Sequence, residues 1–243
     1  TVILSGEQVN ANKGQEGYVD RLQGYLFYLL VNINNSTKED LKNVNIRKAM
    51  SYALDREAIA TALNDGSVAA EGIVPIQLAG NPETGADFRD DNGKLVDYNV
   101  EEAKKLYEAG KAELGHDVTI ELLYGTDEGD SVIKAAEQIQ YYLEQVGFTV
   151  NLNGKPKKER LTLQRAYTFD VALTRWGPDY GDPQTYMDLF VSSNTSNNQG
   201  GYSSAAYDEH IEKAESGTVS ALERWNEFLA AEKVLVQDDA GVV

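Results

Sequence analysis

Residues 118–152 read VTIELLYGTDEGDSVIKAAEQIQYYLEQVGFTVNL, and this stretch decides the fold class. Its first seven residues alternate in the way that is typical of a strand with one buried face. Apolar residues then recur at helical spacing from Val132 to Val146, and a second strand follows at 148–152. Strand, helix and strand in this order predict an α/β sheet with helices packed on its faces.

The same alternation continues outward in both directions. Residues 22–33 form a predicted strand that carries Tyr25 and Tyr28 and ends at Asn34-Asn35-Ser36. Residues 6–17 are turn-rich with one short helix. Residues 71–98 form a predicted long loop. Its acid-rich segment 87–93 is interpreted as a solvated turn rather than a calcium loop. The remaining predicted elements are helices at 44–54, 58–63 (capped by Asp55), 100–114, 157–167, 182–190, 207–216 and 220–237, and a strand at 169–174.

Composition excludes several functional classes. The chain has 243 residues, 22 basic and 39 acidic, which gives a formal charge of −17, and it contains no Cys. A surface with this much negative charge repels phosphate backbones, and a nucleic-acid partner is therefore not expected. Anionic membrane surfaces are disfavoured for the same reason. The absence of Cys removes thiol nucleophiles and thiolate metal sites.

Common catalytic signatures are absent or incomplete. The sequence has neither a phosphate-binding glycine loop nor a Gly-x-Ser-x-Gly elbow. Ser131 and Lys134 match a Ser-x-x-Lys pair without its companion motifs, so Ser131 is interpreted as a residue at a helix N-terminus. His116 and His210 lack metal-ligand spacing and are interpreted as surface histidines. We therefore predict no metal site and no cofactor.

The segment 169–183, FDVALTRWGPDYGDP, is the most unusual in the chain. A strand runs directly into an aromatic and acidic turn, and ligands in open α/β sheets gather at the carboxyl ends of strands. Trp176 offers a flat apolar wall and Asp179 a fixed negative charge, although a core Trp and a turn-forming Asp fit the pattern equally well. Asp182, just before Pro183, is interpreted as the cap of the next helix.

Four stretches resemble the peptide/nickel-type extracytoplasmic solute-binding proteins, the receptors of ATP-driven oligopeptide importers. They are VNIRKAMSYALDREAI at 44–59 (with Asn32-Ile33-Asn34-Asn35 before it), YNVEEAKKL at 98–106, QIQYYLEQVGFTVNL at 138–152 and WGPDYGDP at 176–183. The resemblance implies a lobe of the type II periplasmic-binding-protein-like fold, with a mixed sheet flanked by helices. It also implies a binding protein and not an enzyme.

The resemblance also implies roles for single residues. In such receptors the Asp of the WGPDY-like turn holds the α-amino group of the peptide, and Asp179 is the matching position. A carboxylate and an ammonium can form a charge-assisted hydrogen bond there. Trp176 would line the adjoining side-chain pocket, and backbone groups of the turn, at Gly177, would pair with an extended peptide. The further wall candidates are Tyr180, Tyr25 and Tyr28.

The family's receptors have two lobes, and this chain carries the motifs of the second lobe only. We therefore expect residues 1–243 to be a single C-terminal lobe, with the N-terminal lobe of the same protein absent. The expected partners are an oligopeptide and the membrane permease of the importer, and the expected location is extracytoplasmic, as a cell-surface lipoprotein or in the periplasm. The alternatives are a nickel, haem, sugar or signalling-peptide ligand in the same family, or an α/β hydrolase.

Overall fold

The computed structural model describes residues 4, 7–19, 21–34 and 38–243. Gly6, Asn35 and Ser36, which the sequence placed in the N-terminal segment and at the end of the first strand, lie outside the described residues. The strands are β1 (Leu26–Val31), β2 (Thr119–Gly125), β3 (Thr149–Lys155) and β4 (Val171–Trp176). The helices are α1 (Glu7–Asn12), α2 (Val44–Ala53), α3 (Arg56–Leu63), α4 (Phe88–Asn92), α5 (Val100–Leu114), α6 (Asp130–Glu144), α7 (Lys157–Arg165), α8 (Gln184–Met187), α9 (Ala205–Glu215) and α10 (Ala221–Lys233).

The four strands form one mixed sheet in the order β1-β4-β2-β3. β2 runs parallel to both β3 and β4, whereas β1 runs antiparallel to β4, with Leu26 opposite Trp176. The predicted α/β class with a mixed sheet is therefore confirmed. Because β1 is reversed, its first residues lie at the same edge of the sheet as the carboxyl ends of the other three strands.

One face of the sheet packs against α2, α5 and α6 and forms the larger core. Each of these helices buries a stripe of residues at helical spacing, as the sequence predicts. Burying one such Leu, Ile or Phe side chain contributes about 1.5–3 kcal/mol. The larger residues of this cluster with 2% exposure or less are Leu29, Val31, Leu41, Ile46, Met50, Tyr107, Val118, Ile120, Leu122, Leu143 and Val171.

Polar side chains cap the N-termini of several helices. The Asp55 carboxylate accepts a hydrogen bond of 2.9 Å from the backbone N–H of Ala58, which confirms it as the cap of α3. Asn43 caps α2 in the same way, and Ser220 caps α10 in a reciprocal arrangement with Glu223. α6 begins at Asp130, so Ser131 stands at a helix N-terminus as predicted.

A second core joins the segment 71–98 to α8, α9 and α10. Phe88 packs edge-on against Trp225, with 5.0 Å between ring centroids. The Glu232 carboxylate, fully buried, accepts hydrogen bonds from the Arg89 guanidinium, from the Asn92 amide and from the backbone N–H groups of Ile73 and Val74. This segment is therefore packed into the fold.

The interpretation of residues 87–93 as a solvated turn is wrong. Residues 88–92 form α4, whose N-terminus is capped by the Asp87 side chain. Phe88, Arg89 and Asn92 are buried, because the partners that satisfy Arg89 and Asn92 come from α10, far along the chain.

The first strand is shorter than predicted. β1 starts at Leu26, so Tyr25 lies just before the strand and not within it. Towards the other end of β1, Leu29 exchanges both backbone hydrogen bonds with Val243, at 2.6 and 3.2 Å. The predicted strand at 169–174 is also shifted, because β4 extends to Trp176 and the turn begins at Gly177.

Candidate functional site

The turn at 177–183 follows β4 at the edge of the sheet where β2 and β3 also end. The chain entering β1 lies against it. The Tyr186 hydroxyl donates a hydrogen bond to the carbonyl of Gly24, and a Cβ built on Gly24 would lie 2.9 Å from Cγ of Pro178. Gly24 also has a φ of 68°, which glycine adopts without strain. The segment that precedes β1 and the turn that follows β4 therefore form one surface.

Trp176 and Tyr28 face the second core. Trp176 is half-buried, and its indole N–H has no hydrogen-bond partner among the described residues. The Tyr28 ring packs edge-on against Phe190, with 5.9 Å between centroids. Burial raises the pKa of the Tyr28 hydroxyl, and the positive charge of Arg160 offsets this only in part. The Tyr28 hydroxyl is therefore neutral at physiological pH.

Asp179 is exposed at the centre of the turn. Its backbone N–H donates a hydrogen bond of 3.1 Å to the Thr185 hydroxyl at the start of α8, which fixes the backbone. Its carboxylate makes no hydrogen bond or ion pair with any part of the chain that the structure describes. The carboxylate therefore stands on an anchored backbone with its oxygens open to an ammonium or another donor.

Asp182 has a structural role in the same turn. Its carboxylate accepts hydrogen bonds from Nη1 and Nη2 of Arg224 at 2.8 and 2.9 Å, and from the backbone N–H of Gln184 at 3.0 Å. It thus caps the first turn of α8 from the residue before Pro183, in agreement with the sequence prediction.

Gly177 and Tyr25 are in direct contact. A Cβ on Gly177 would lie 2.5 Å from Cε1 of Tyr25, so the ring rests on the backbone of the turn only because residue 177 has no side chain. Tyr25 is 51% exposed. The guanidinium of Arg175 lies over this ring, on the side of the sheet opposite to Trp176. The candidate residues are therefore divided between two faces, Trp176 with Tyr28 and Gly177 with Tyr25.

Tyr180 is 48% exposed and lies close to several carboxylates. Partial burial raises the pKa of its hydroxyl, and the negative charges of Asp188 and Asp182 add to this shift. Burial also raises the pKa of Asp188 to about 6, and a hydrogen bond with Glu215 contributes in the same direction. The electrostatic potential beside the turn is therefore negative, which favours a cationic group of a ligand.

No group of three or more His, Cys, Asp or Glu side chains in the described chain is arranged to hold a metal ion. Both histidines lie beside a carboxylate that sequence spacing did not reveal. His210 Nδ1 is 2.6 Å from Glu227, and His116 Nε2 is 3.4 Å from Asp40. In the same described residues, no helix has the length and apolar character that crossing a bilayer requires.

Sequence reasoning missed Arg175, Phe27 and Thr185. Arg175 was visible only as the residue before Trp176, and its contact with Tyr25 and Phe27 depends on the pairing of β1 with β4. Thr185 fixes the backbone of Asp179 from the first turn of α8. The only sequence signal for this contact was the hydroxyl-bearing residue Thr185, six residues after Asp179.

Comparison with known proteins identifies similar chains. The family model described as bacterial extracellular solute-binding proteins, family 5 Middle, matches residues 2–198. A dipeptide-binding protein of Lactococcus lactis is 34% identical over 232 residues, which are 92% of this chain and 42% of that protein. The oligopeptide-binding protein OppA of Bacillus subtilis is 27% identical over 83% of this chain and 36% of its own length. The chain thus spans about two fifths of the length of these curated relatives.

Solved structures agree in fold. OppA of Listeria monocytogenes bound to peptide superposes with a TM-score of 0.87 at 33% identity, over 99% of this chain and 46% of that one. A peptide-binding protein of a peptide ABC transporter superposes with a TM-score of 0.84 at 33% identity, over 90% of this chain and 97% of its own. The predicted binding-protein lobe is therefore confirmed as the fold class.

Proposed function

Because the chain belongs to family 5 of the bacterial extracellular solute-binding proteins, we propose that it is the C-terminal lobe of a receptor that captures oligopeptides for an ATP-driven importer. The observation that carries this proposal is the Asp179 carboxylate, which is exposed, without a partner in the described chain, and held on an anchored backbone. A carboxylate in this state can hold the α-amino group of a peptide through a charge-assisted hydrogen bond.

The surroundings of Asp179 support a peptide rather than a free amino acid or an inorganic ion. Trp176 and Tyr28 supply an apolar wall on one face, and Tyr180 supplies a half-exposed ring beside the turn. The backbone groups from Gly177 onward would pair with an extended peptide, which tolerates many side chains. Nickel, haem, sugar or signalling-peptide ligands are the alternatives within the family, and the open carboxylate favours a ligand that carries an amine.

The whole receptor would contain a second lobe, N-terminal to this one, and would deliver its peptide to a membrane permease with cytoplasmic ATPases. Its location would be extracytoplasmic, at the cell surface as a lipoprotein or in the periplasm. Capture and release require no cofactor and no bond cleavage. A hydrolase with similar carboxylates would instead consume the peptide, and robust turnover that disappears with one carboxylate would contradict the receptor function.

The test compares Asp179→Ala with the native receptor that contains this chain, by calorimetry with one peptide in two forms. We expect affinity for the form with a free amino terminus to fall by about 1.5–3 kcal/mol, or roughly 10- to 150-fold, because one charge-assisted bond is lost. Affinity for the amino-acetylated form should be nearly unchanged. Glu209→Gln, which removes another exposed carboxylate, is the matched control.

Equal loss for the two peptide forms would contradict the role of Asp179. The chain of 243 residues alone should bind the same peptides weakly or not at all, because the other lobe would supply half of the enclosing surface. Tight calorimetric binding by this chain alone would contradict that part of the proposal.

A further inference from the structure

Arg175 holds its positive charge on an aromatic platform beside the candidate site. Its guanidinium carbon lies 5.0 Å from the ring centroid of Tyr25 and 5.7 Å from that of Phe27. Phe27 is directly opposite Arg175 in the pairing of β1 with β4. Both rings are about half exposed. Stacking of this kind holds the planar guanidinium in place and leaves its N–H groups free to donate.

No oxygen atom satisfies this guanidinium within the part of the chain that the structure describes. The other buried or half-buried arginines there all have oxygen partners. Arg89, Arg160 and Arg224 pair with carboxylates, and Arg47 and Arg56 donate to backbone carbonyls. A chain with 39 acidic residues has many carboxylates to offer. The cation at Arg175 is therefore open to a carboxylate from outside the chain.

A second guanidinium increases the positive charge near Phe27. Arg56 and Phe27 line the same small cavity, of about 40 Å³. The Nη2 atom of Arg56 is buried and has no hydrogen-bond partner in the described chain. Burial lowers the pKa of Arg56 to about 10, which still leaves the guanidinium charged at neutral pH. A second guanidinium therefore lies near Phe27 on a protein that carries a net charge of −17.

We propose that Arg175 binds a carboxylate of the ligand, an inference that rests on the proposed function. Asp179 presents an acceptor for an ammonium, and Arg175, four residues earlier, presents donors for an anion. A peptide carries both charges. The carboxylate can come from its carboxyl terminus or from an acidic side chain, and a guanidinium recognises either through two parallel hydrogen bonds. Arg175 would therefore select among peptides that Asp179 alone accepts equally.

The experiment measures binding by calorimetry in the receptor that contains this chain, with four versions of one short peptide. The carboxyl terminus is either free or amidated, and one internal residue is either Glu or Gln. Arg175→Gln should lower affinity at least tenfold for peptides that carry the recognised carboxylate. It should change affinity less than twofold for the amidated Gln peptide. Arg165→Gln, at an exposed position at the end of α7, is the matched control and should change none of the four.

The four peptides identify the source of the carboxylate. If amidation of the peptide removes the effect of Arg175→Gln, the peptide's carboxyl terminus is the group that Arg175 binds. If replacement of the peptide's Glu by Gln removes that effect, the acidic side chain is the bound group. Phe27→Leu keeps the charge but removes one ring of the platform, so it should weaken the same peptides by a smaller factor. This second variant tests the site even if Arg175→Gln proves unstable in thermal unfolding.

Equal loss for all four peptides, or no loss for any, would overturn the role of Arg175. Failure of the proposed function has a different signature, because the native receptor would then bind none of the four peptides. If native binding and the Asp179→Ala result are as expected and Arg175→Gln shows no preference, only the carboxylate subsite is wrong.

Discussion

Asp182 and Arg224 form a two-point ion pair, with the guanidinium nitrogens 2.8 and 2.9 Å from the two carboxylate oxygens. The pair joins the turn at 177–183 to α10 and holds Asp182 in position to cap α8. Asp179 lies three residues away, and its carboxylate has no such partner in the described chain. Two aspartates of one short turn thus differ, because the carboxylate of Asp182 is paired within the chain and that of Asp179 has no partner in the described residues.

Asp182→Ala should lower the free energy of unfolding by about 1–2 kcal/mol, because a helix cap and a partly exposed ion pair are lost together. Urea denaturation of the native and variant chains measures this. Binding should weaken equally for free and amino-acetylated peptides, since the turn is displaced and no ligand contact is removed. A loss confined to free amino termini would show that Asp182 contacts the ligand itself.

Gly177→Ala should destabilise the fold by about 1 kcal/mol, because the new Cβ would overlap the Tyr25 ring. The same substitution should cost almost nothing in a Tyr25→Ala background, where the ring is absent, and this double-mutant cycle isolates the contact. Gly181→Ala is the control, since a Cβ there would be 3.5 Å from its nearest neighbour, in ordinary contact. Equal costs in both backgrounds would contradict the Tyr25 contact.

Asp188→Asn should raise the melting temperature at pH 7.5 and leave it unchanged at pH 4. The folded-state pKa of Asp188 is about 6, raised from 3.8 by burial and by Glu215. The native state therefore keeps a proton that the unfolded chain releases, so the free energy of unfolding falls as pH rises from about 4 to 6. Asn is neutral at every pH and avoids this loss.

The gain for Asp188→Asn at pH 7.5 should be about 1 kcal/mol, because solvent screens a half-exposed carboxylate. The groups near it include Glu215, Asp182, Gln184, Tyr180 and Tyr207. Thermal unfolding of Glu215→Gln over the same pH range should show a smaller gain of the same sign. A gain for Asp188→Asn that is equal at pH 4 and pH 7.5 would contradict this assignment.

Arg89→Met should lower the free energy of unfolding by about 3–5 kcal/mol, since it leaves the Glu232 carboxylate buried without a countercharge. Denaturant titration measures the change. Adding Glu232→Gln should recover part of the loss, because the Gln side chain is neutral. Lys105→Met, which breaks an exposed pair with Glu102 on α5, should have little effect. A small effect of Arg89→Met would show that water reaches Glu232.

Local patterns in the sequence predicted most of the fold. The alternation in 118–152 and the Asp55 cap depend on neighbours a few residues apart, so the chain order alone reveals them. The helix at 88–92 was missed because Arg89 is satisfied by Glu232, 143 residues later. In the sequence, a buried charged residue cannot be distinguished from an exposed one when its partner lies far along the chain.

The candidate site shows the same limit. The turn sequence indicated Trp176 and Asp179, but it contained no sign that Tyr25 and Phe27 would form a platform for Arg175. That arrangement depends on the register of β1 against β4, which brings together segments about 150 residues apart. Such contacts follow from tertiary pairing and not from local propensity.

The pairing of β1 with β4 also determines when, during synthesis of the chain, this part of the sheet can form. Val31 pairs with Val171, so β1 leaves the ribosome about 140 residues before its strand partner. At a typical 5–20 residues per second, the wait is roughly 7–30 s. During that time Leu26, Leu29 and Leu30 have no sheet to join. The platform under Arg175 and the surface that carries Asp179 can therefore form only after β4 has been synthesised.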